Sequence, residues 1–114
     1  MRSLASPSLS FFGLSAGLLI CVAALQAAPA ADGAALFKQK CSMCHGTDGK
    51  GFAAIKTPDF TDPKWQASLN DKGIGEVIKN GKKRTTMPAW GGKLEDEEIQ
   101  ALVGYIRSLD SKKK

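Results

Sequence analysis

The chain has 114 residues, with sixteen basic against eleven acidic side chains and a formal net charge of +5. That length holds one small domain, and the basic excess is too small for a nucleic-acid-binding surface. There are three cysteines, two of them committed to a single short motif described below, so no structural disulfide is expected.

Residues 1–30 differ from everything after them. They carry one charge, Arg2, and no acid, and Phe11 to Leu25 is an apolar run of fifteen residues. The small-residue stretch Ala28-Pro29-Ala30 follows, which completes the three-part pattern of a secretory signal peptide, with cleavage expected before Ala31 or, as a second choice, after Ala27. An uncleaved membrane anchor is the alternative. Fifteen helical residues span about 22 Å, short of a hydrocarbon core of about 30 Å. Cys21 follows Ile20 rather than a small residue, so it reads as apolar filler that leaves with the signal. No twin-arginine pair is present, which points to export of an unfolded chain. The division is therefore a signal peptide over 1–30 and one domain over 31–114.

Asp32 is an N-cap for a first helix running from Gly33 to Cys41, with Ala34, Phe37 and Cys41 on one face. That helix leads into Cys41-Ser42-Met43-Cys44-His45. Two cysteines two residues apart, followed at once by histidine, are the signature of covalent c-type haem attachment. Each thiol adds across one vinyl group, and the histidine then lies under the iron as an axial ligand. His45 is the sole histidine. A zinc site would need four ligands and would have to draw on carboxylates. A thioredoxin-type redox pair would need a βαβ context that the pattern lacks.

Gly46 to Gly51 is a glycine-rich turn without the spacing of a phosphate loop. Residues 52–62 read as irregular chain around Pro58. Asp62-Pro63 starts a short helix over Pro63 to Leu69, and Asn70-Asp71 starts another. Its apolar stripe is Ile74, Val77 and Ile78, ending at Asn80-Gly81. Lys82 to Lys93 is a loop. The last helix begins near Glu95, carries Asp96, Glu97 and Glu98 in its first turn, and buries Ile99, Leu102, Val103 and Ile106. No strand alternation and no repeat occurs. The fold class is all-α.

Haem iron with one histidine needs a second ligand for fast one-electron transfer, and a thioether sulfur raises the potential. After residue 30 the methionines are Met43, inside the motif, and Met87, about forty residues later in the loop. Pro88 restricts that loop. Met87 is the expected distal ligand; the competing reading is a gap-filling core methionine.

With these residues in place the chain resembles the class I cytochrome c family, in its small bacterial monohaem form, over about residues 32–109. Gly33 and Phe37 resemble the first-helix pattern. Leu102, Gly104 and Tyr105 resemble the last-helix pattern, with Gly104 expected to allow close approach of the two backbones. Thr86-Met87-Pro88-Ala89-Trp90 resembles the methionine loop, and Pro58 the proline whose carbonyl accepts a hydrogen bond from the histidine ligand. Glu95 departs from the pattern, which has Ser, Thr or Asp at the last-helix cap. Trp65 is a candidate donor to the haem propionates, with Trp90 and Arg84 as others; Trp65 reads equally as a core aromatic.

The resemblance implies a cytochrome c fold, three main helices plus a short one around a single covalent haem c. It implies electron transfer between larger redox proteins outside the cytoplasm, in the bacterial periplasm, and no enzyme activity of the chain's own. A dedicated subunit of a dehydrogenase or oxidase complex is the second reading. A gas-binding haem protein with an open distal site is the third. The chain is expected to be a monomer, with a docking field at Lys82, Lys83 and Arg84.

Overall fold

The computed structural model describes residues 27–114 together with the isolated positions Ser8 and Gly13. The apolar run assigned to the signal peptide lies outside the described residues. Among the described residues, no helix is long and apolar enough to cross a membrane.

The first helical segment starts where Asp32 predicts it. The Asp32 carboxylate accepts the Ala35 N–H at 3.0 Å, and α1 spans Gly33–Leu36. The helix then widens into a π turn over Phe37–Cys41 and closes again as α2, Ser42–His45. It does not stop at Cys41 but carries the whole motif. In the π turn the Ser42 N–H donates to the Phe37 carbonyl, and the Ser42 hydroxyl donates to the Lys38 carbonyl at 2.6 Å. One extra residue in the turn shifts the helical register by about 100°. Phe37 stays in the core while Met43 is 88% exposed. Ala34, expected on the inner face, is exposed.

Gly46 ends α2 with φ +77°. The following turn folds back: the Gly51 N–H donates to the His45 carbonyl at 2.8 Å, and the Phe60 N–H donates to the Gly49 carbonyl at 2.8 Å. Gly51 has φ +73°, and a Cβ there would stand 2.6 Å from the carbonyl oxygens of both Thr57 and Pro58. The stretch read as irregular holds one short 3₁₀ turn, Ala53–Ile55.

Asp62 caps α3, Pro63–Ser68, by accepting the Lys64 N–H at 2.9 Å. Asn70 caps α4, Asp71–Asn80, by accepting the Gly73 N–H at 2.8 Å. Its buried face is Ile74, Gly75 and Ile78, with Val77 at the margin. The last helix, α5, spans Asp96–Ser108 and buries Ile99, Leu102, Val103 and Ile106 as the periodicity predicts. At its start the Glu98 carboxylate accepts the Glu95 N–H at 2.9 Å. Glu95 therefore leads a helix whose return bond comes from position N3.

Helix α5 packs on both α1 and α4. The close approach between α1 and α5 is made by Gly33, where a Cβ would collide with the Ala101 carbonyl oxygen and crowd Tyr105. Gly104 does not fill the role expected of it. It is exposed, and a Cβ there would meet nothing within 4 Å. The two glycines lie on different sides of the crossing, and the phase of α5 turns Gly104 outward.

Phe37 and Leu102 are the largest fully buried side chains. Phe60, Leu94 and Leu109 complete the core from segments outside the long helices. One buried polar side chain closes the lower corner. Gln66 donates from Nε2 to the carbonyls of Phe60 (2.7 Å) and Ile106 (2.9 Å). Arg107 donates in turn to the Gln66 carbonyl (2.6 Å) and Oε1 (2.9 Å), and its Nε pairs with Asp71 at 2.7 Å.

Candidate haem site

The π turn and α2 together place Cys41, Cys44 and His45 along one short rod whose root is Phe37 in the core. Both thiols are free and half-buried. Burial pushes the Cys41 thiol up to about 11; Lys40 pulls against this and Cys44 adds to it. Cys41 is thus held as the thiol, the form that adds to a vinyl group.

His45 is held against the aromatic core. Its ring stacks on Phe60, with centroids 4.7 Å apart and planes 19° from parallel, and Phe37 stands 6.4 Å away. Burial lowers its pKa below the usual histidine value, which favours the neutral imidazole that ligates metals. Nδ1 is buried without any hydrogen-bond partner. The bond expected from Nδ1 to the Pro58 carbonyl is therefore not formed. Pro58 does reach the same turn: its carbonyl lies over Gly51, whose N–H is bonded to the His45 carbonyl. The ring, laid on Phe60, leaves that carbonyl unused.

Met87 is half-buried and packs against the same core. Its loop is closed by local bonds. The Met87 N–H donates to Thr85 Oγ1 at 3.1 Å, and the Lys82 N–H donates to the Met87 carbonyl at 3.2 Å. Gly81, at φ +71°, lets the end of α4 come within contact of Met87 and Ala89. Trp90 is tied to α4 through its N–H, which donates to the Ile78 carbonyl at 2.9 Å. Trp65 packs on Phe60 with centroids 4.5 Å apart and joins the core. Lys82, Lys83 and Arg84 are exposed at the rim of the loop.

Cys41, Trp65, Met87 and Trp90 therefore border one core, and His45 joins it through Phe37 and Phe60. Phe60 is the member that the sequence reading missed. It stands alone in an irregular segment, and only its position two residues before the Asp62 cap could have drawn attention to it. A surface groove lined by Pro63, Gln66, Asn70 and Arg107 contains none of these residues.

The donor set fits haem c. Two thiols stand at i and i+3 on one helix, the adjacent imidazole has a buried nitrogen without a partner, and a thioether sits on the same core. It does not fit zinc or a hard cation. Among the described residues, no three His, Cys, Asp or Glu side chains converge.

Comparison with known proteins agrees. The family described as "Cytochrome C oxidase, cbb3-type, subunit III" matches residues 28–106. The chain is 38% identical over 80 residues to a cbb3-type cytochrome c oxidase subunit FixP of Bradyrhizobium sp. (strain ORS 278), covering 70% of this chain and 27% of that protein. It is 41% identical over 69 residues to a subunit CcoP of Rubrivivax gelatinosus, covering 60% and 22%. The chain thus spans about a quarter of the length of these relatives. Among solved structures, the KustC0563 c-type cytochrome superposes with a TM-score of 0.65 at 35% identity, over 69% of this chain and 98% of that one. Cytochrome cL of Methylophaga aminisulfidivorans gives 0.58 at 31% identity, over 68% and 51%. Motif, helical core and relatives converge: the chain belongs to the cbb3-type cytochrome c oxidase subunit III family and is a class I monohaem c-type cytochrome with covalently bound haem c.

Proposed function

We propose that the domain passes single electrons between larger redox proteins, with Cys41 and Cys44 as the residues that would attach haem c and His45 and Met87 as those that would ligate its iron. The observation that carries this reading is His45. It is the sole histidine, buried at Nδ1 without a partner, on the same short helix as two free thiols. Bound there, haem c supplies a one-electron Fe(III)/Fe(II) couple.

The protein's own contribution is positioning and exclusion of water. Phe60 and Phe37 fix the plane of the imidazole, and burial keeps it neutral. The short hydrogen bonds within Lys82–Met87 fix the thioether-bearing loop. A ligand set held this rigidly rearranges little when the charge on the site changes, which keeps transfer fast. With His45 and Met87 both serving the iron, the chain would offer a substrate no place on it, and the reading gives the domain no enzyme activity of its own. In this reading Pro58 would serve the site as an acceptor and Trp65 as an indole donor; the Pro58 carbonyl near Gly51 and the packing of Trp65 on Phe60 support it.

The relatives' names favour a second form of the same reading, a subunit that feeds electrons within an oxidase complex rather than a free shuttle. In either form the domain works outside the cytoplasm, in the periplasm, behind the N-terminal apolar segment. The exposed Lys82, Lys83 and Arg84 border the face offered to a partner. The test is an optical redox titration of the purified holoprotein. A single reversible one-electron step with a low-spin ferric spectrum is expected. A high-spin ferric spectrum would replace this reading with an open distal site.

A further inference from the structure

Phe52, Ala53, Ala54 and Ile55 are successive apolar residues, and all of them are exposed. Phe52 and Ile55 are each 46% exposed, whereas every other phenylalanine and isoleucine among the described residues is buried. Single apolar side chains on a surface are ordinary; a contiguous set on one turn marks a contact with something apolar.

The turn is closed on itself. The Phe52 N–H donates to Thr57 Oγ1 at 2.6 Å, and the Phe52 carbonyl accepts the N–H groups of Ile55 (3.2 Å) and Thr57 (3.3 Å). The Lys56 N–H donates to the Ala53 carbonyl at 3.1 Å. Lys56 itself takes φ +55°, a left-handed conformation that a residue other than glycine adopts at some cost. At the base, the Gly51 N–H is bonded to the His45 carbonyl. A turn held this way loses little further order when it is covered.

Lysines stand at both ends. Lys50 and Lys56 flank the apolar residues, no acid lies between Asp48 and Asp59, and among the described residues neither lysine has a carboxylate within 4.0 Å. The bordering carboxylates turn back into their own turns. Asp48 accepts the Lys50 N–H at 3.0 Å, and Asp59 accepts the N–H and hydroxyl of Thr61 at 2.8 Å and 2.6 Å. Asp59 is lowered in pKa first by Thr61 and in smaller part by Lys50, so Lys56 is the freer cation.

We propose that the Phe52–Ile55 turn, flanked by Lys50 and Lys56, is a wedge that seats in the interfacial layer of an anionic lipid bilayer. This goes beyond the electron-transfer reading and does not depend on the ligands of the iron. Two large side chains are far less than the about 800 Å² that each partner brings to a stable protein interface. They suit a shallow lipid insertion, with apolar groups at the acyl boundary, lysine stems beside them and ammonium groups at the phosphates. The apolar run Phe11 to Leu25, read as export signal or as anchor, leads the chain to a bilayer in either case.

Two measurements on the holoprotein test this. The first is sedimentation with phosphatidylcholine vesicles, with and without phosphatidylglycerol. Phe52→Ser/Ile55→Ser should lower partition onto the anionic vesicles about tenfold. Lys50→Gln/Lys56→Gln should lower it by about as much at low salt, the gap closing as salt rises. Lys112→Gln/Lys113→Gln removes the same charge from the C-terminal tail and should change it much less. Thermal unfolding and the haem absorption spectrum check that the serine variant is folded. A folded serine variant that binds like wild type overturns the wedge. Equal loss in the two lysine variants overturns it too, since net charge alone would then matter. Wild type that ignores anionic vesicles also overturns it and leaves the turn to a protein partner.

The second needs no variant. Amide NMR of the wild-type holoprotein is recorded with bicelles whose lipid carries a spin label near the glycerol backbone. Broadening centred on Ala53 and Ala54 supports the proposal. Broadening centred on Lys82–Trp90 or on the C-terminal tail overturns it. Neither measurement cycles the iron, so the wedge and the electron-transfer reading stand or fall separately.

Discussion

Gly33 lies directly against the carbonyl of Ala101, so the first and last helices touch backbone to backbone. Gly33→Ala should force them apart and destabilise the holoprotein by about 1–3 kcal/mol. Gly104→Ala, with open space around it, should instead stabilise by up to about 1 kcal/mol through helix propensity. Denaturant unfolding of the two variants checks the contrast; equal effects would show that the crossing is not set by Gly33.

Cys41→Ala with Cys44→Ala should abolish covalent haem, because Cys21 is the only other cysteine and lies in the N-terminal apolar run. Acidified acetone extraction followed by mass measurement decides it. Wild-type protein that releases its haem on extraction would refute thioether attachment. The haem-free chain should also be poorly folded, since so short a domain has little core of its own.

Met87→Ala should lower the reduction potential and admit carbon monoxide or cyanide, because loss of the thioether removes a preference for the reduced state. A potential and spectrum identical to wild type would remove Met87 from the ligand set and leave it as a core side chain.

Arg107→Ala should cost about 2–3 kcal/mol, since it leaves Gln66 Oε1 in a buried corner without its donor. Arg107→Lys should recover little, because one ammonium cannot serve Asp71, Gln66 and the Leu69 carbonyl together. Thermal unfolding of both variants measures the difference.

The Asp59 carboxyl is held below its usual pKa mainly by the Thr61 hydroxyl, which donates to it at 2.6 Å. A depressed folded-state pKa stabilises above the unfolded value and is lost as pH falls through the folded one. Thr61→Val should therefore raise the Asp59 midpoint in a carboxyl NMR titration and blunt the acid limb of stability slightly. An unmoved midpoint would assign the shift to other neighbours.

Much of this was legible in the sequence. Asp32, Asp62 and Asn70 cap the helices they were expected to cap, and the Ile99, Leu102, Val103, Ile106 face is buried as its spacing requires. What escaped has physical reasons. A π turn has no residue preference that distinguishes Phe37–Cys41 from ordinary helix. The choice between Gly33 and Gly104 depends on the phase of two helices at once. Gln66 and Arg107 are forty-one positions apart, and neither belongs to an apolar stripe. Phe60, Leu94 and Leu109 stand singly, where periodicity has nothing to count. The motif named Cys41, Cys44 and His45, but it could not show that the His45 ring lies on Phe60 and leaves the Pro58 carbonyl unbonded.

The wide turn over Phe37–Cys41 limits how this stretch of chain can change in length. Deleting one residue there, for example Gln39, would restore regular α-helical bonding, a local gain. It would also swing Cys41, Cys44 and His45 together by about 100° relative to Phe37. The thiols would then face a different side of the molecule from Met87, although every motif residue was retained. The number of residues between Phe37 and Cys41 is thus as much a part of the attachment signal as the letters of the motif. A profile that scores Cys-x-x-Cys-His alone would accept sequences whose helix points it the wrong way.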